Sequence, residues 1–167
     1  MTIQNNDSST AFEDEWYAVR YSGEIPEVAF HSALFHLTED RDGPGLSLSP
    51  AQVAHLVDAV RLRYLDIIGR DLLPANRQTS GYRGVKRAIT NWNRFELFCA
   101  SYDLDISEDK QQVAQALMHF LAREIEDMQS PEHRCCINCS FEELCAFSEQ
   151  LGLSTAEHLS PLHDHFD

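Results

Sequence analysis

Apolar positions recur at three- and four-residue spacing through most of the chain, and no stretch shows the period of two that marks a half-buried strand. Phe12, Trp16 and Val19 fall on one face and predict a first helix over about 11–22, stopped at Gly23. Pro26 fits the first turn of a second helix, "PEVAFHSALFHL", whose density of Phe and Leu predicts deep burial. "EDRDGPG" reads as a turn. A third helix, "AQVAHLVDAVRLRYLDIIG", carries Val53, Val57, Val60 or Leu62, Tyr64 and Ile67 near helical spacing and is expected to end at Gly69. "RDLLPANRQTSGYRG" is the least regular stretch and reads as a long loop.

A fourth helix near "VKRAITNWNRFELFCASY" has Val85, Ala88, Ile89, Trp92, Phe95 and Cys99 as its apolar stripe. Ser107 starts a fifth, with Val113, Leu117, Phe120, Leu121 and Met128 turned inward. Two short helices follow, "FEELCAFSEQL", closed by Gly152, and "TAEHLSPLHDHF". Thr10 with Glu13, Ser49 with Gln52, Ser140 with Glu143 and Ser154 with Glu157 have capping-box spacing, in which a hydroxyl takes an orphan N–H and the longer side chain reaches back. The expectation is an all-α fold: a flexible tail over 1–10, then a single compact helical domain over 11–167. It would have six or seven helices, the last ones short and placed after a cysteine-containing loop.

Composition adds bounds. At 167 residues and 43% hydrophobic, with nine phenylalanines, the chain can bury a core of its own. No apolar run approaches the roughly 20 residues that cross a bilayer. "MTIQNNDSST" is neither a signal peptide nor a basic transit peptide, so the expected compartment is cytoplasmic, where thiols stay reduced.

The net charge of −14 argues against nucleic acid as the main partner, yet the charge is unevenly spread. Eight of the thirteen basic residues lie between Arg61 and Arg94, opposed there only by Asp66 and Asp71. "RQTSGYRGVKRAITNWNR" combines Arg77, Arg83, Lys86, Arg87 and Arg94 with Tyr82 and Trp92, and Gly81 and Gly84 allow close backbone approach to an anion. One reading is a surface for an acidic or phosphorylated protein partner. The other is internal pairing with the chain's many carboxylates. Such segregated charge also favours self-association.

The most concentrated chemistry is "EHRCCINCSFEELCAF", which holds four of the five cysteines. Cys136, Cys139 and Cys145 have the spacing C-x2-C-x5-C, with Cys135 and His133 adjacent. Two cysteines three apart at a turn can place both sulfurs on one metal, and the helix begun at Ser140 brings a positive dipole end that favours thiolates. Cys99 on the fourth helix can supply a further ligand. A distant cysteine followed by C-x2-C-x5-C is similar to the iron–sulfur tail of some RecB-like nucleases, a resemblance confined to these four cysteines. It implies four thiolates on one cluster and no nuclease activity, since the mixed sheet and catalytic carboxylates of that family have no counterpart here. The alternatives are buried cysteines acting as small hydrophobes, or redox pairing of Cys136 with Cys139, the Cys135–Cys136 pair being strained.

Other constellations carry less. The last two helices are laid out like a helix-turn-helix, but the second holds Glu157 and Asp164 and no Lys or Arg, wrong for a phosphate-lined groove. His55 and Asp58 share a helix face as a surface pair, and "HDH" near the C-terminus reads as a solvent-exposed tract. No catalytic motif proposes a reaction. The sequence therefore supports a helical accessory or regulatory protein binding zinc or an Fe–S cluster through its C-terminal cysteines. The alternative is a helical interaction module docking an acidic partner through residues 61–94.

Overall fold

The computed structural model describes residues 2–39, 47–73, 84–127, 139–153, 159 and 161, excluding the side chains of 2–9 and 127. Among these residues there are six helices and no strand: α1 Thr2–Tyr21, α2 Pro26–Thr38, α3 Pro50–Asp71, α4 Val85–Ser101, α5 Ser107–Asp127 and α6 Phe141–Gln150. The all-α class is the one the periodicity predicts. The chain divides into two compact units, Met1–Tyr64 and Leu65–Asp167, and α3 is continuous through the division.

In the N-terminal unit α1 packs on α2. Pro26 at the first turn of α2 loses no helical hydrogen bond there, because the first N–H groups have no intrahelical acceptor. Ala29, Phe30, Ala33 and Leu37 recur at 3–4 spacing on the buried face of α2, with Val19 of α1 and Leu56, Val57, Val60 and Tyr64 of α3 also buried. Ser49 caps α3 as its spacing predicts. Gln52 N–H donates to the Ser49 hydroxyl (3.1 Å), and Ser49 N–H donates back to the Gln52 amide oxygen (2.9 Å).

The C-terminal unit is built on large aromatics. Trp92 and Phe95 of α4, Phe120 of α5 and Phe147 of α6 are all at or within 1% of full burial, with Leu117, Leu121 and Leu144 beside them in rank. Gly84 enters α4 at φ 147°, ψ −157°, a region that glycine alone occupies without strain. The Asp105 carboxylate accepts from the Ser107 N–H (3.0 Å) and hydroxyl (2.6 Å) at the entry to α5. Helix α6 carries the predicted box between Ser140 and Glu143. It ends in a Schellman motif: Leu153 N–H reaches Ser148 C=O (2.9 Å) and Gly152 N–H reaches Glu149 C=O (3.0 Å), with Gly152 at φ 80°.

Two boundaries differ from expectation. Helix α1 begins at Thr2, so Thr10 lies inside it rather than capping it, and the helix includes most of the segment expected to be a tail. Gly69 lies within α3, which continues to Asp71. Helix α4 closes with Asp103 at φ 54°, an aspartate where glycine is usual; Leu104 N–H bonds Cys99 C=O (3.0 Å) and Asp103 N–H bonds Ala100 C=O (3.2 Å). Met128 and the final expected helix, over "TAEHLSPLHDHF", lie outside the described residues apart from Leu159 and Pro161.

Candidate functional site

Helix α4 sorts its side chains sharply. Val85, Ala88, Asn91, Trp92, Phe95, Phe98 and Cys99 are buried. Lys86, Arg87, Thr90, Asn93, Arg94 and Leu97 are exposed and follow one another at helical spacing along the outer face. Leu97 is 72% exposed, one turn beyond Arg94, so this face joins a basic stripe to an apolar tip.

The basic segment is only partly outward. Trp92 is fully buried, which corrects its assignment to a partner surface: its ring packs 5.0 Å from that of Phe95 inside the unit. Arg87 lies 3.8 Å from the carboxylate of Asp71, a side chain 4% exposed at the end of α3. Arg61 grips Asp58 through two nitrogens, at 2.8 and 3.0 Å, so Asp58 serves an ion pair rather than His55. Internal pairing thus accounts for Arg61 and part of Arg87. Arg77, Tyr82 and Arg83 lie outside the described residues.

The cysteine set is divided in the same way. Cys135, Cys136 and His133 lie outside the described residues; Cys99, Cys139 and Cys145 lie within them as thiols rather than disulfides. Cys99 and Cys139 are buried. Among the described residues no group of three or more His, Cys, Asp or Glu side chains converges to hold a metal. Cys145 is one turn into α6, beyond the reach of the end dipole. Its thiol is pushed up from the ordinary range, first by partial burial and then by Glu149 and Glu142 on either side along the helix. The expected thiolate-favouring setting is therefore reversed at this cysteine.

Helical spacing puts Phe12, Trp16 and Val19 on one face of the first helix. Only Val19 is buried; Phe12 and Trp16 are half-exposed, and both stack on His55 of α3. The i, i+4 aromatic spacing beside a run of carboxylates was the available signal.

No described helix is long and apolar enough to cross a membrane. Six helices with no strand among the described residues define an all-helical protein with at least one outward charged helix face. The chain belongs to the family described as "Repeat of unknown function (DUF7826)", which matches residues 7–153. That span takes in most of α1 and all of α2 to α6. Comparison with curated proteins and with solved structures gave no match.

Proposed function

We propose that this protein is a helical interaction module whose α4 outer face docks an acidic helix or loop of a protein partner. The observation that carries the reading is the alignment of exposed Lys86, Arg87 and Arg94 with the 72% exposed Leu97 on one helix face, in a chain of net charge −14. An apolar anchor flanked by like charges fits a partner segment with one apolar residue set among carboxylates or phosphates. The charges steer the encounter and fix register, and the leucine supplies buried area. Salt weakens such a contact, because exposed charges are screened beyond about 10 Å at 0.1 M.

The test is fluorescence anisotropy with an amphipathic Glu-rich peptide carrying leucines at i, i+3 and i+7, and with a phosphoserine version. Saturable binding that weakens with salt, drops about tenfold in Arg94→Glu and drops similarly in Leu97→Ala supports the reading. Binding of neither peptide, or binding indifferent to both substitutions, sinks it.

The cysteine spacing supports a second reading, a metal-bound form with Cys136, Cys139 and Cys145 as ligands and Cys99, Cys135 or His133 completing the set. Metal analysis and a visible spectrum on protein purified without oxygen decide it. Stoichiometric zinc or iron upholds it, and metal-free protein with five titratable thiols retires it.

A further inference from the structure

Helix α1 builds an aromatic wall. Phe12 and Trp16 are i, i+4 neighbours, and Tyr17 follows with Glu13 one turn before it. The imidazole of His55 lies nearly parallel to the Trp16 ring, with centroids 5.2 Å apart and planes at 10°, and 6.1 Å from Phe12 at 24°. These five side chains line a cleft of about 330 Å³ within the N-terminal unit. That is the small end of the range for small-molecule sites, suited to a head group rather than a large cofactor.

The chemistry of the lining is specific. Three aromatic rings line it besides the His55 imidazole, and Glu13 brings a carboxylate with no ion-pair partner among the described residues. Asp14 follows on the same exposed helix. On the adjoining surface the Arg20 guanidinium sits 4.8 Å from the centroid of Tyr21, whose ring lies 4.7 Å from that of Tyr17. An apolar ligand would draw nothing from the exposed carboxylates of Glu13 and Asp14, and an anion would be repelled by them. A cation satisfies both the rings and the carboxylate.

We infer that this cleft binds a small organic cation of the quaternary-ammonium class, held by cation–π contacts to Trp16 and Tyr17 and by the charge of Glu13. This site is separate from the α4 face and does not depend on the docking proposal.

The experiment is a titration of the full chain with choline and with its uncharged carbon isostere, 3,3-dimethylbutan-1-ol, following the two indole N–H resonances by NMR. Trp16→Phe assigns them. Choline is expected to shift the Trp16 resonance saturably while the Trp92 resonance stays fixed, and the isostere to bind about tenfold more weakly. Tyr17→Ala and Glu13→Gln are each expected to weaken choline binding about three- to tenfold, with the Trp92 resonance reporting an intact fold. Equal binding of the isostere would reduce the site to an apolar cleft and overturn the inference. So would the absence of a saturable shift up to about 500 mM choline, beyond the roughly 200 mM that two of the weakest exposed cation–π contacts would give. A trimethyl-lysine peptide binding about tenfold more tightly than choline would assign the cation to a protein side chain and overturn the small-molecule assignment.

Discussion

The Tyr64 hydroxyl donates a hydrogen bond to the Glu27 carboxylate, joining a fully buried position within α3 to the first turn of α2, 37 positions away. The tyrosine ring is core and its hydroxyl is satisfied by a charged acceptor, a stronger arrangement than a neutral pair. Tyr64→Phe removes the donor while keeping the ring. It should lower stability by about 1–2 kcal/mol in urea unfolding, with an unchanged dependence on denaturant. Glu27→Leu, which removes the charged acceptor, should cost a comparable amount.

Arg87 and Arg94 share an exposed helix face but should differ in stability. Arg87 approaches the buried carboxylate of Asp71, whereas Arg94 has no recorded ion pair among the described residues. Arg87→Glu sets two carboxylates against each other at the end of α3 and should destabilise by about 1 kcal/mol, a figure reduced for the guanidinium's exposure. Arg94→Glu should stay within about 0.5 kcal/mol of the parent in thermal unfolding. That contrast makes Arg94 the cleaner probe of docking.

Gly69 and Asp103 are each the wrong residue for the backbone they occupy. Gly69 is helical, and a Cβ added there meets nothing within 4 Å. Asp103 adopts φ 54° at a helix C-terminus, where its charge also opposes the end dipole. Gly69→Ala and Asp103→Gly should each raise stability by about 0.5–1 kcal/mol, and the double variant by nearly the sum. Calorimetric Tm values of the three variants check both magnitude and additivity.

The Asp105 carboxyl is held below its ordinary value of 3.8, chiefly by the Ser107 hydroxyl and then by the Ser107 N–H. A carboxyl depressed by folding stabilises above its unfolded-state value, and that contribution fades as pH falls through the folded one. Asp105→Ala should therefore be less stable than the parent at pH 7. The gap should narrow below about pH 4 as the parent's carboxyl is protonated. A gap independent of pH from 7 to 2 would mean that the charge plays no part.

The raised Cys145 thiol predicts sluggish alkylation. At pH 7.5 iodoacetamide should modify Cys145 more slowly than N-acetylcysteine, because only the thiolate reacts. The rate should climb with pH along a curve displaced to the alkaline side of the small thiol. Glu149→Gln should move that curve back, since its charge contributes to the shift. Peptide mapping by mass spectrometry reads the rate at this one position.

Helix existence was legible wherever apolar spacing was long and a cap was local. Ser49 with Gln52 and Ser140 with Glu143 show both, and Gly152 ends α6 through a backbone angle that its residue type announces. Boundaries failed where residue type did not decide. Gly69 stays helical despite its cost because the residues around it are anchored, and the Thr2–Ser9 backbone is helical despite weak intrinsic preference for it. At the sites, charge was easier to find than orientation. The basic run was visible in sequence, but only side-chain direction separates buried Trp92 from exposed Arg94, two positions apart on one helix. The cleft was hidden because Phe12 and Trp16 satisfy the same periodicity as a core stripe; its fourth ring arrives from α3 through His55, and no local pattern encodes that pairing.

Helix α6 is ten residues long, shorter than an isolated helix that persists in water, and it is sealed at both ends by the Ser140–Glu143 box and the Gly152 turn. A helix closed this way cannot unzip progressively from its termini. Its interior amides, from Cys145 to Gln150, should then share one protection factor against deuterium exchange instead of a gradient from the ends. That makes a single short segment a clock for the opening of the packing around Leu144 and Phe147.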